Sequence, residues 1–551
     1  MGKVYIHTLI LFFCTLISFQ VSASHIMGGE ITWECQANGQ YVFTLKVYRD
    51  CAGANLATAN QEIEVHNYPN PSQFNTTIPI THTSTTDISA SCSGGGCTAQ
   101  EFIFKSAPVT LNGVPGPNGW VFTWTSGNRN GAIDNIRNAQ NYGITLRAKM
   151  FAYNGQNANA CFDSSPKFAE MPSVIICANH QYTYNHNATD AELDDLSYSW
   201  AQPLNGVFCN RPPCKIGGLY VEGSNPNYVP FYAANGYSYT SPFPGTSQNS
   251  NNVPAVLDSA TGEITYTSYT QGAFVSVVKV TAYKCGQKVA EIYRELQTVI
   301  TSNCGTNNPP TMVPPFQNSL GQYTLFRDTV IAGELVTFNL NASDPDGDPI
   351  TISASGNQFG TNFTSSTTGC SNPPCATMSS TLPATATGSY TSQFSWQTDC
   401  SHIATQTGGC ANSENTHSFL FKVVDDYCPT PGQKLMTVAI TVIADTVLEH
   451  PDIICADVAP TGAVTLNWDT VADLTGSFKK WMIYHSNDRN GPYTLIDSVS
   501  DFNQTDYTHT GASGNQRSNH YIVRTKSSCH DSWLLKPADT ISSIYVNTVL
   551  G

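Results

Sequence analysis

The chain has 551 residues, of which 12% are charged, and its 40 acidic residues against 25 Lys and Arg give a net charge of −15 at pH 7. Because that charge comes from scarce basic residues rather than from acidic blocks, we expect no nucleic-acid partner. Beyond the N-terminus no apolar stretch is long enough for a membrane helix, so an integral membrane protein is not expected. Helical periodicity is almost absent, which favours an all-β fold.

The first 23 residues have the three parts of a secretory signal peptide. Lys3 supplies the charged start, residues 9–16 the apolar run, and residues 21–23 the small-residue cleavage site. The apolar run is too short to span a bilayer. We therefore expect a mature chain that begins at Ser24 and is secreted or displayed on the cell surface.

Alternating apolar and polar runs, separated by Gly, Asn and Pro clusters, predict half-buried strands throughout the mature chain. These runs divide it into four units, each long enough to bury its own core. The expected fold is all-β, a tandem array of immunoglobulin-like β-sandwich modules. The predicted order is an N-terminal β-domain at 24–168, a module at 169–305, a proline-rich spacer at 307–315, a module at 316–446 and a module at 453–551.

The second and third units contain the same sequence twice. YTYNHNATD at 182–190 recurs as VTFNLNASD at 336–344, and VVKVTAYKCGQK at 277–288 resembles LFKVVDDYCPTPGQK at 420–434. A block of this length that recurs with mild changes indicates a domain array. Domain arrays of this kind serve as structural spacers or binding proteins more often than as enzymes, so we expect a structural or adhesive role.

Each copy of the repeat runs into an acidic turn. In the third unit Asp344, Asp346 and Asp348 place three carboxylates at alternate positions, and carboxylate oxygens are the ligands that Ca²⁺ prefers. Asp-Gly turn chemistry alone also explains this stretch, so a purely structural turn stays an alternative. No other cofactor is expected. A looser candidate set for Ca²⁺ in the first copy is Asp190, Glu192 and Asp194.

Of the 18 cysteines, only Cys14 lies inside the predicted signal peptide. In an exported chain such a density predicts disulfides. Zinc is the alternative, but structural zinc sites combine two closely spaced pairs, and each region here has one short pair. The predicted bridges are Cys92 with Cys97, Cys209 with Cys214, Cys370 with Cys375 and, bracketing the fourth unit, Cys455 with Cys529.

The opening SHIMGGEITWECQANGQYVFTLKVYRDC at 24–51 resembles the start of large secreted surface proteins of Bacteroidetes-type gliding bacteria, the gliding-motility-associated or PKD-domain-containing proteins. The two repeats resemble cadherin-like and PKD-like modules, in which an equivalent turn helps to bind Ca²⁺ near a domain junction. The last unit resembles a fibronectin type III domain, which implies core positions for Trp468 and Tyr521. The resemblance implies surface display, adhesion or motility and assigns no catalytic residue.

Members of that family usually end in a C-terminal sorting domain, whereas this chain ends at SSIYVNTVLG. We therefore expect either a fragment or a different fate at the cell surface.

No nucleophile elbow, zinc-protease helix or phosphate-binding glycine loop is present in the sequence, so we do not expect an enzyme. The tyrosine-rich loop at 218–245 is the first candidate contact region for extracellular proteins or glycans. The alternative is that this loop packs back on its own sandwich. The rival to a structural or adhesive role is a carbohydrate-binding accessory region of a secreted hydrolase whose catalytic part is absent.

Overall fold

The computed structural model describes residues 26–53, 55–67, 77–89, 97–127, 129–153, 163–172, 175–206, 228–403, 414–428, 430–445, 448–473, 476–527, 529 and 540–545. In these ranges the regular structure is almost entirely strand, which confirms the all-β prediction. No helix within them has the length and apolar character needed to cross a membrane. Four short 3₁₀ helices lie at Ala139–Asn141, Ala233–Asn235, Thr361–Phe363 and Cys400–His402.

Some strands of the two N-terminal units, such as the second, alternate in burial, whereas the long strands at their junction are buried on both faces. They are β1 Ile26–Cys35, β2 Tyr41–Asp50, β3 Gln61–His66, β4 Thr77–Asp87, β5 Ala99–Ser106, β6 Trp120–Ser126, β7 Ile144–Met150, β8 Lys167–Phe168, β9 Ile175–Cys177, β10 Gln181–Asn185, β11 Ala188–Thr189, β12 Asp195–Trp200, β13 Val253–Leu257, β14 Glu263–Thr267, β15 Gly272–Lys284 and β16 Gln287–Thr301.

One 11-stranded sheet runs through both N-terminal units in the order β1-β2-β5-β4-β3-β6-β7-β16-β15-β12, with β9 beside β16. Strands β1 and β7 both pair with β16, so the first unit closes on a strand of the second. One hydrophobic core also joins them, with Phe43 and Phe122 in the same cluster as Val280 and Ile292. The segments predicted as separate units, 24–168 and 169–305, therefore share a sheet and a core.

Strand β16 shows why the sequence does not reveal that the first two units share a sheet. Its charged residues suggest a solvent-facing strand, yet Arg294 and Glu295 are buried and paired with the first unit. Arg294 donates from Nη2 to Glu30 at 2.8 Å, and Arg129 donates from Nη2 to Glu295 at 3.3 Å. Burial alone would raise the pKa of Glu30, but the Arg294 charge and hydrogen bond outweigh it and lower that pKa. Buried charges of this kind are tolerated only when paired.

The glycine pair that opens the first unit permits this closure. Gly28 has a φ of +147°, and a Cβ there would clash with the backbone of Glu295. Gly28 faces Leu296 in the register of β1 against β16. A side chain at this position would therefore push apart the two strands that join the units.

The second and third units each form a β-sandwich, as the sequence repeat predicted. In the second unit β10, β14 and β13 form a separate sheet beside the β12-β15-β16 part of the large sheet. In the third, one sheet has the order β17-β21-β25-β23 and the other β20-β27-β26-β22-β24. The strands are β17 Thr311–Met312, β18 Phe316–Gln317, β19 Tyr323–Leu325, β20 Arg327–Ile331, β21 Leu335–Ser343, β22 Pro349–Ser355, β23 Thr377–Met378, β24 Ala384–Thr387, β25 Ser389–Gln397, β26 Glu414–Asp425 and β27 Gln433–Ile443.

The fourth unit is a smaller sandwich with its own core. Sheet β28-β29-β32 packs on sheet β31-β30-β33-β34. Trp468 and Tyr521 are both fully buried in that core, as the fibronectin type III resemblance implied. The strands are β28 Ile453–Val458, β29 Val464–Trp468, β30 Phe478–Ser486, β31 Thr494–Val499, β32 Asp506–His509, β33 His520–Ser527 and β34 Ile541–Ser542.

The predicted bridge between Cys370 and Cys375 is present. The predicted bridge between Cys92 and Cys97 was wrong, because Cys97 pairs with Cys51. Strand pairing explains the correction: the register of β2 against β5 brings the ends of both strands together, and the Cys51 amide donates to the Thr98 carbonyl at 3.2 Å. Cys92 lies outside the described residues, as do Cys209 and Cys214.

The predicted bridge between Cys455 and Cys529 was also wrong. Cys529 pairs with Cys400 of the third unit, and Cys455 is a free thiol. Cys455 lies on β28, whereas Cys529 follows β33 in the opposite sheet. The end of β33 lies beside the segment that leads in from the third unit, because the Leu448 amide donates to the Ser527 hydroxyl at 2.8 Å. The bridge therefore ties two modules together instead of closing one. A further bridge joins Cys177 to Cys304.

Candidate functional site: two acidic turns and an inter-module cleft

The acidic turn of the third unit, Asp344–Asp348, converges three carboxylates. Oδ1 of Asp344 accepts hydrogen bonds from the amides of Asp346 at 2.9 Å and Asp348 at 3.1 Å. Gly347 adopts a φ of +81°, the left-handed conformation that this tight turn requires. Asp344, Asp346 and Asp348 each offer an oxygen, and these oxygens lie within 4.8 Å of one another. The structure thus brings the predicted calcium ligands together.

Two further features make this donor set suitable for a hard cation. Asp344 is 7% exposed, and its Oδ2 is buried without a hydrogen-bond partner. Partial burial, followed by the charges of Asp344 and Asp426, raises the pKa of Asp348. The turn also holds the preceding spacer, because Asp346 accepts from the Asn308 amide at 2.7 Å and from its side chain at 3.0 Å. The residues present fit Ca²⁺, which takes carboxylate oxygens in flexible geometry.

The acidic turn of the second unit, Asp190–Asp194, has the same backbone arrangement. Oδ1 of Asp190 accepts from the amides of Glu192 and Asp194, both at 3.0 Å. Glu192 accepts from the amide of Ser164 at 3.1 Å, as Asp346 does from the segment before its own module. The repeat is thus reproduced at the level of single hydrogen bonds, but among the described residues only Asp344, Asp346 and Asp348 place three carboxylate oxygens within 4.8 Å of one another.

Sequence reasoning missed two residues of this first turn, Asp163 and Lys284. Asp163 is 1% exposed. The Lys284 ammonium lies 2.9 Å from Oδ1 of Asp194 and 3.3 Å from Oδ1 of Asp163. Burial first, and then the charges of Asp190 and Asp194, raise the pKa of Asp163 well above its usual range. The first turn therefore contains a cation of its own, although its carboxylates outnumber that cation.

An alignment of the two copies of the repeat already shows that only the first turn has a lysine at this place. Lys284 directly precedes Cys285, whereas Tyr427 directly precedes Cys428 at the matching place in the second copy. Asp163 was harder to find, because its match becomes visible only through strand pairing. Strands β8 and β17 pair with equivalent residues of the two copies of the repeat. Aligning the two copies on this pairing makes Asn307 the equivalent of Asp163.

A cleft of about 220 Å³ lies between the second and third modules, beside the first turn. Asp190 and Asp194 line one wall, and Gln358 and Asn415 belong to the other. Contacts across the junction hold the walls together. The Asn357 side chain donates to the Asp190 carbonyl at 2.7 Å, and the Asn415 side chain donates to the Leu193 carbonyl at 3.4 Å.

Several polar atoms at this cleft have no partner. Gln358 is 1% exposed, and neither its Nε2 nor its Oε1 is hydrogen-bonded. Oδ2 of Asp190 and Oδ2 of Asp194 are likewise buried without partners. Leaving a buried polar group unsatisfied costs roughly 1–3 kcal/mol. These atoms have no accessible surface, so they do not face the open volume of the cleft.

The tyrosine-rich loop at 218–245 is described from residue 228 onward. In that part Tyr237 is buried against Phe274, with ring centroids 5.8 Å apart. Phe243 stacks on Tyr266 at 4.5 Å, whereas Tyr239 is 43% exposed. Most of the described part therefore packs back on its own sandwich. Tyr220 lies outside the described residues.

No protein-family model matches this chain, and no curated protein matches it. Among solved structures it is similar to the FN1–FN3 domains of chicken CNTN1, at 12% identity and a TM-score of 0.17 over 53% of this chain and 86% of that one. It is also similar to Drosophila N-cadherin EC1–4, at 10% identity and a TM-score of 0.19 over 90% and 95% of the two chains. It is similar as well to the eight N-terminal Ig domains of Down Syndrome Cell Adhesion Molecule, at 10% identity and a TM-score of 0.17 over 92% of this chain and 47% of that one. At TM-scores this low these similarities carry no argument, and the fold rests on the strand order and the cores described above.

Proposed function

We propose that this chain is an exported structural or adhesive protein that holds its binding surfaces on a stiff row of β modules, and that it is not an enzyme. The observation that carries the proposal is the way successive units are joined. The first two share a sheet, and Cys400 and Cys529 link the third to the fourth. Disulfides of this kind form and persist in oxidising compartments, which supports an extracellular or cell-surface location.

The junction between the second and third modules supports the same proposal. Asn185 donates to the Thr437 hydroxyl at 2.9 Å, and Lys434 donates to the Thr183 hydroxyl at 3.0 Å. Lys422 forms an ion pair with Glu170 at 3.0 Å. Polar contacts of this number at one junction limit bending between the modules, and limited bending suits a protein that holds a surface away from its attachment point.

Calcium belongs to this proposal at the turn of the third module. Asp344, Asp346 and Asp348 would hold the ion, and it would neutralise carboxylates that otherwise repel one another. Because Asp346 also binds Asn308 of the spacer, a calcium ion here would stiffen the entry into the module. The predicted site at Asp190, Glu192 and Asp194 stays a prediction, and Lys284 argues against it by supplying a cation of its own.

The association with gliding motility is part of the proposal and rests on the resemblance of residues 24–51. The rival, a carbohydrate-binding accessory region of a secreted hydrolase, shares the module fold. Binding to a soluble polysaccharide without attachment to any cell or surface would favour that rival.

The test is an attachment assay with beads that carry the oxidised full chain in calcium buffer. We expect these beads to attach under flow to cells or to a solid surface more strongly than beads that carry the reduced and alkylated chain. A chelator should weaken attachment, because it removes the proposed stiffening at the third module. Equal attachment of oxidised and reduced chain would contradict the proposal.

A further inference from the structure

We propose that the joint between the third and fourth modules is an acid-sensitive hinge, which is rigid while His402 and His450 are neutral and becomes mobile when they are protonated. The inference adds regulation to the proposed function, because it concerns the stiffness of the row of modules. Its geometry depends on the joint alone, which shares no residue with either acidic turn.

The joint has two sides. On one side Cys400, in the short turn after β25, is bridged to Cys529, and both pack against the core of the third module. On the other side the linker 448–452 lies beside the end of β33, where the Leu448 amide donates to the Ser527 hydroxyl at 2.8 Å. The orientation of the fourth module therefore depends on the turn that carries Cys400 and on this linker.

His402 fixes the turn that carries Cys400. Its Nδ1 accepts a hydrogen bond from the Asp399 amide at 2.8 Å, and its Nε2 donates to the Asn372 carbonyl at 2.9 Å. An imidazole that accepts through Nδ1 is neutral, because the imidazolium form carries a proton on both nitrogens. Protonation of the fully buried His402 would therefore break its bond to the Asp399 amide and loosen the turn.

His450 has the same role in the linker. Its Nδ1 accepts from the Thr525 amide at 3.2 Å, and the residue is 8% exposed. The Thr525 hydroxyl donates in turn to the Glu449 carbonyl at 2.6 Å, so β33 holds the histidine and the residue before it. Protonation of His450 would remove the contact to the Thr525 amide. Proton uptake would thus loosen both sides of the joint.

The groups packed around His402 keep it neutral at neutral pH. Its titratable neighbours in the part of the chain that the structure describes are Asp399 of its own turn and His417 of β26, which donates from Nε2 to the His402 carbonyl at 2.7 Å. Burial outweighs the Asp399 charge and lowers the pKa of His402, and burial lowers the pKa of His417 to about 4. An opened joint therefore takes up more protons than a closed one below the ordinary histidine value of about 6.5, and falling pH favours opening.

Charges of both signs lie next to His450 in sequence or on the adjacent strand. In the linker they are Glu449 and Asp452, and in β33 they are Arg524 and Lys526. The two carboxylates and the two cations largely offset one another. No net local charge therefore fixes the protonation state of His450.

The experiment is hydrogen exchange measured by mass spectrometry on the oxidised full chain at pH 7 and at about pH 5, with exchange times scaled to the intrinsic rate at each pH. We expect residues 399–403 and 522–527 to lose roughly tenfold or more in protection at the lower pH, while β21 and β27 of the third module keep theirs. Small-angle X-ray scattering should show a broader distribution of interatomic distances at the lower pH, because the fourth module then takes several orientations.

Asparagine variants separate proton uptake from loss of the contacts, because asparagine keeps an acceptor oxygen near the Nδ1 position and does not titrate. The double variant His402→Asn with His450→Asn should keep its protection at pH 7 and lose the response to acid. His450→Asn alone should lose the response at 522–527 and keep it at 399–403, and it leaves the core of the third module untouched. The matched control His520→Asn, at the opposite end of β33, should respond to acid as the wild type does.

Equal protection at both pH values would overturn the inference, as would an acid response that the double variant keeps in full. If the double variant does not fold, the result for His450→Asn alone decides in the same way. Protection lost evenly over the third module, or scattering that does not change, would also overturn it, because neither outcome is the release of one joint. In each of these cases, bead attachment at pH 7 would still test the proposed function separately.

Discussion

The two acidic turns share one backbone and differ in what balances their charge. In each, the first aspartate accepts two amide hydrogen bonds from the next two acidic residues. The first turn has Lys284 within 2.9 Å of Asp194. The second turn has Tyr427 at the place of that lysine. One repeat has therefore produced a turn with a built-in cation and a turn for which we propose a cation from solution.

The neighbouring acidic residues follow the same logic. The first turn gains Asp163 beside its lysine, whereas Asn307 occupies that place in the second and donates to Asp425 at 2.8 Å. The Lys284 charge offsets part of the cost of burying Asp163, although the pKa of Asp163 stays raised by burial and by the charges of Asp190 and Asp194. Duplicated modules can thus keep a turn and exchange the means by which its charge is compensated.

Lys284→Met is expected to have the largest effect on this comparison. It leaves Asp163 and Asp194 buried without their cation, and breaking such a pair costs about 3–5 kcal/mol. Chemical unfolding in chelator measures the loss. Calcium should restore part of it, because the first turn then resembles the second.

The matched control is Lys279→Met, on the same strand. Lys279 is partly exposed and lies 3.9 Å from Glu291, so its removal should cost less than about 1 kcal/mol. An equal loss in both variants would show that Lys284 has no special relation to the first turn.

Asp348→Asn should abolish the calcium response of the second turn. A ligand at 100 times its Kd stabilises a protein by about 2.7 kcal/mol, and a variant without the site should lose that gain. Thermal melting with and without calcium measures it. The control is Asp328→Asn, an exposed aspartate of the same module. Stabilisation by calcium that survives in the Asp348 variant would contradict the assignment.

Asp163→Asn introduces into the first turn the residue type that the second turn has. Burial and neighbouring carboxylates raise the pKa of Asp163, so its ionised form disfavours folding once the pH exceeds its unfolded-state pKa. The variant should therefore be more stable than the wild type at pH 7 in chelator. This advantage should shrink as the pH falls through the unfolded-state pKa of about 3.9 and disappear below it, where the wild-type carboxyl is protonated in both states. A constant difference across that pH range would contradict the shift.

Asn357→Ala should have the smallest effect. The variant removes the 2.7 Å hydrogen bond to the Asp190 carbonyl, which should cost about 1 kcal/mol. Hydrogen exchange at the Asp190 turn should rise, while exchange at the Asp344 turn should stay unchanged. Equal changes at both turns would indicate general destabilisation instead of a local junction contact.

The local features were predictable from the sequence. The repeated sequence block identified both acidic turns, and the short spacing of Cys370 and Cys375 identified their disulfide. Trp468 and Tyr521 were recognisable as core residues of the last sandwich. These features depend on neighbouring residues, so the order of the chain is sufficient to find them.

Features that depend on distant strands were not predictable. Arg294 and Glu295 suggest an exposed strand until Glu30 and Arg129 are placed beside them. Cys97 has a close neighbour in sequence, but strand register gives it Cys51 instead. Gln358 belongs to an ordinary polar stretch, yet its side chain is almost completely buried in the fold.

The most direct test of the difference between the turns is a count of bound calcium by equilibrium dialysis of the oxidised full chain. We predict one tightly bound ion per wild-type chain, none in Asp348→Asn and two in Lys284→Met. A wild-type chain that binds no calcium, or an Asp348 variant that binds as much as the wild type, would contradict the account.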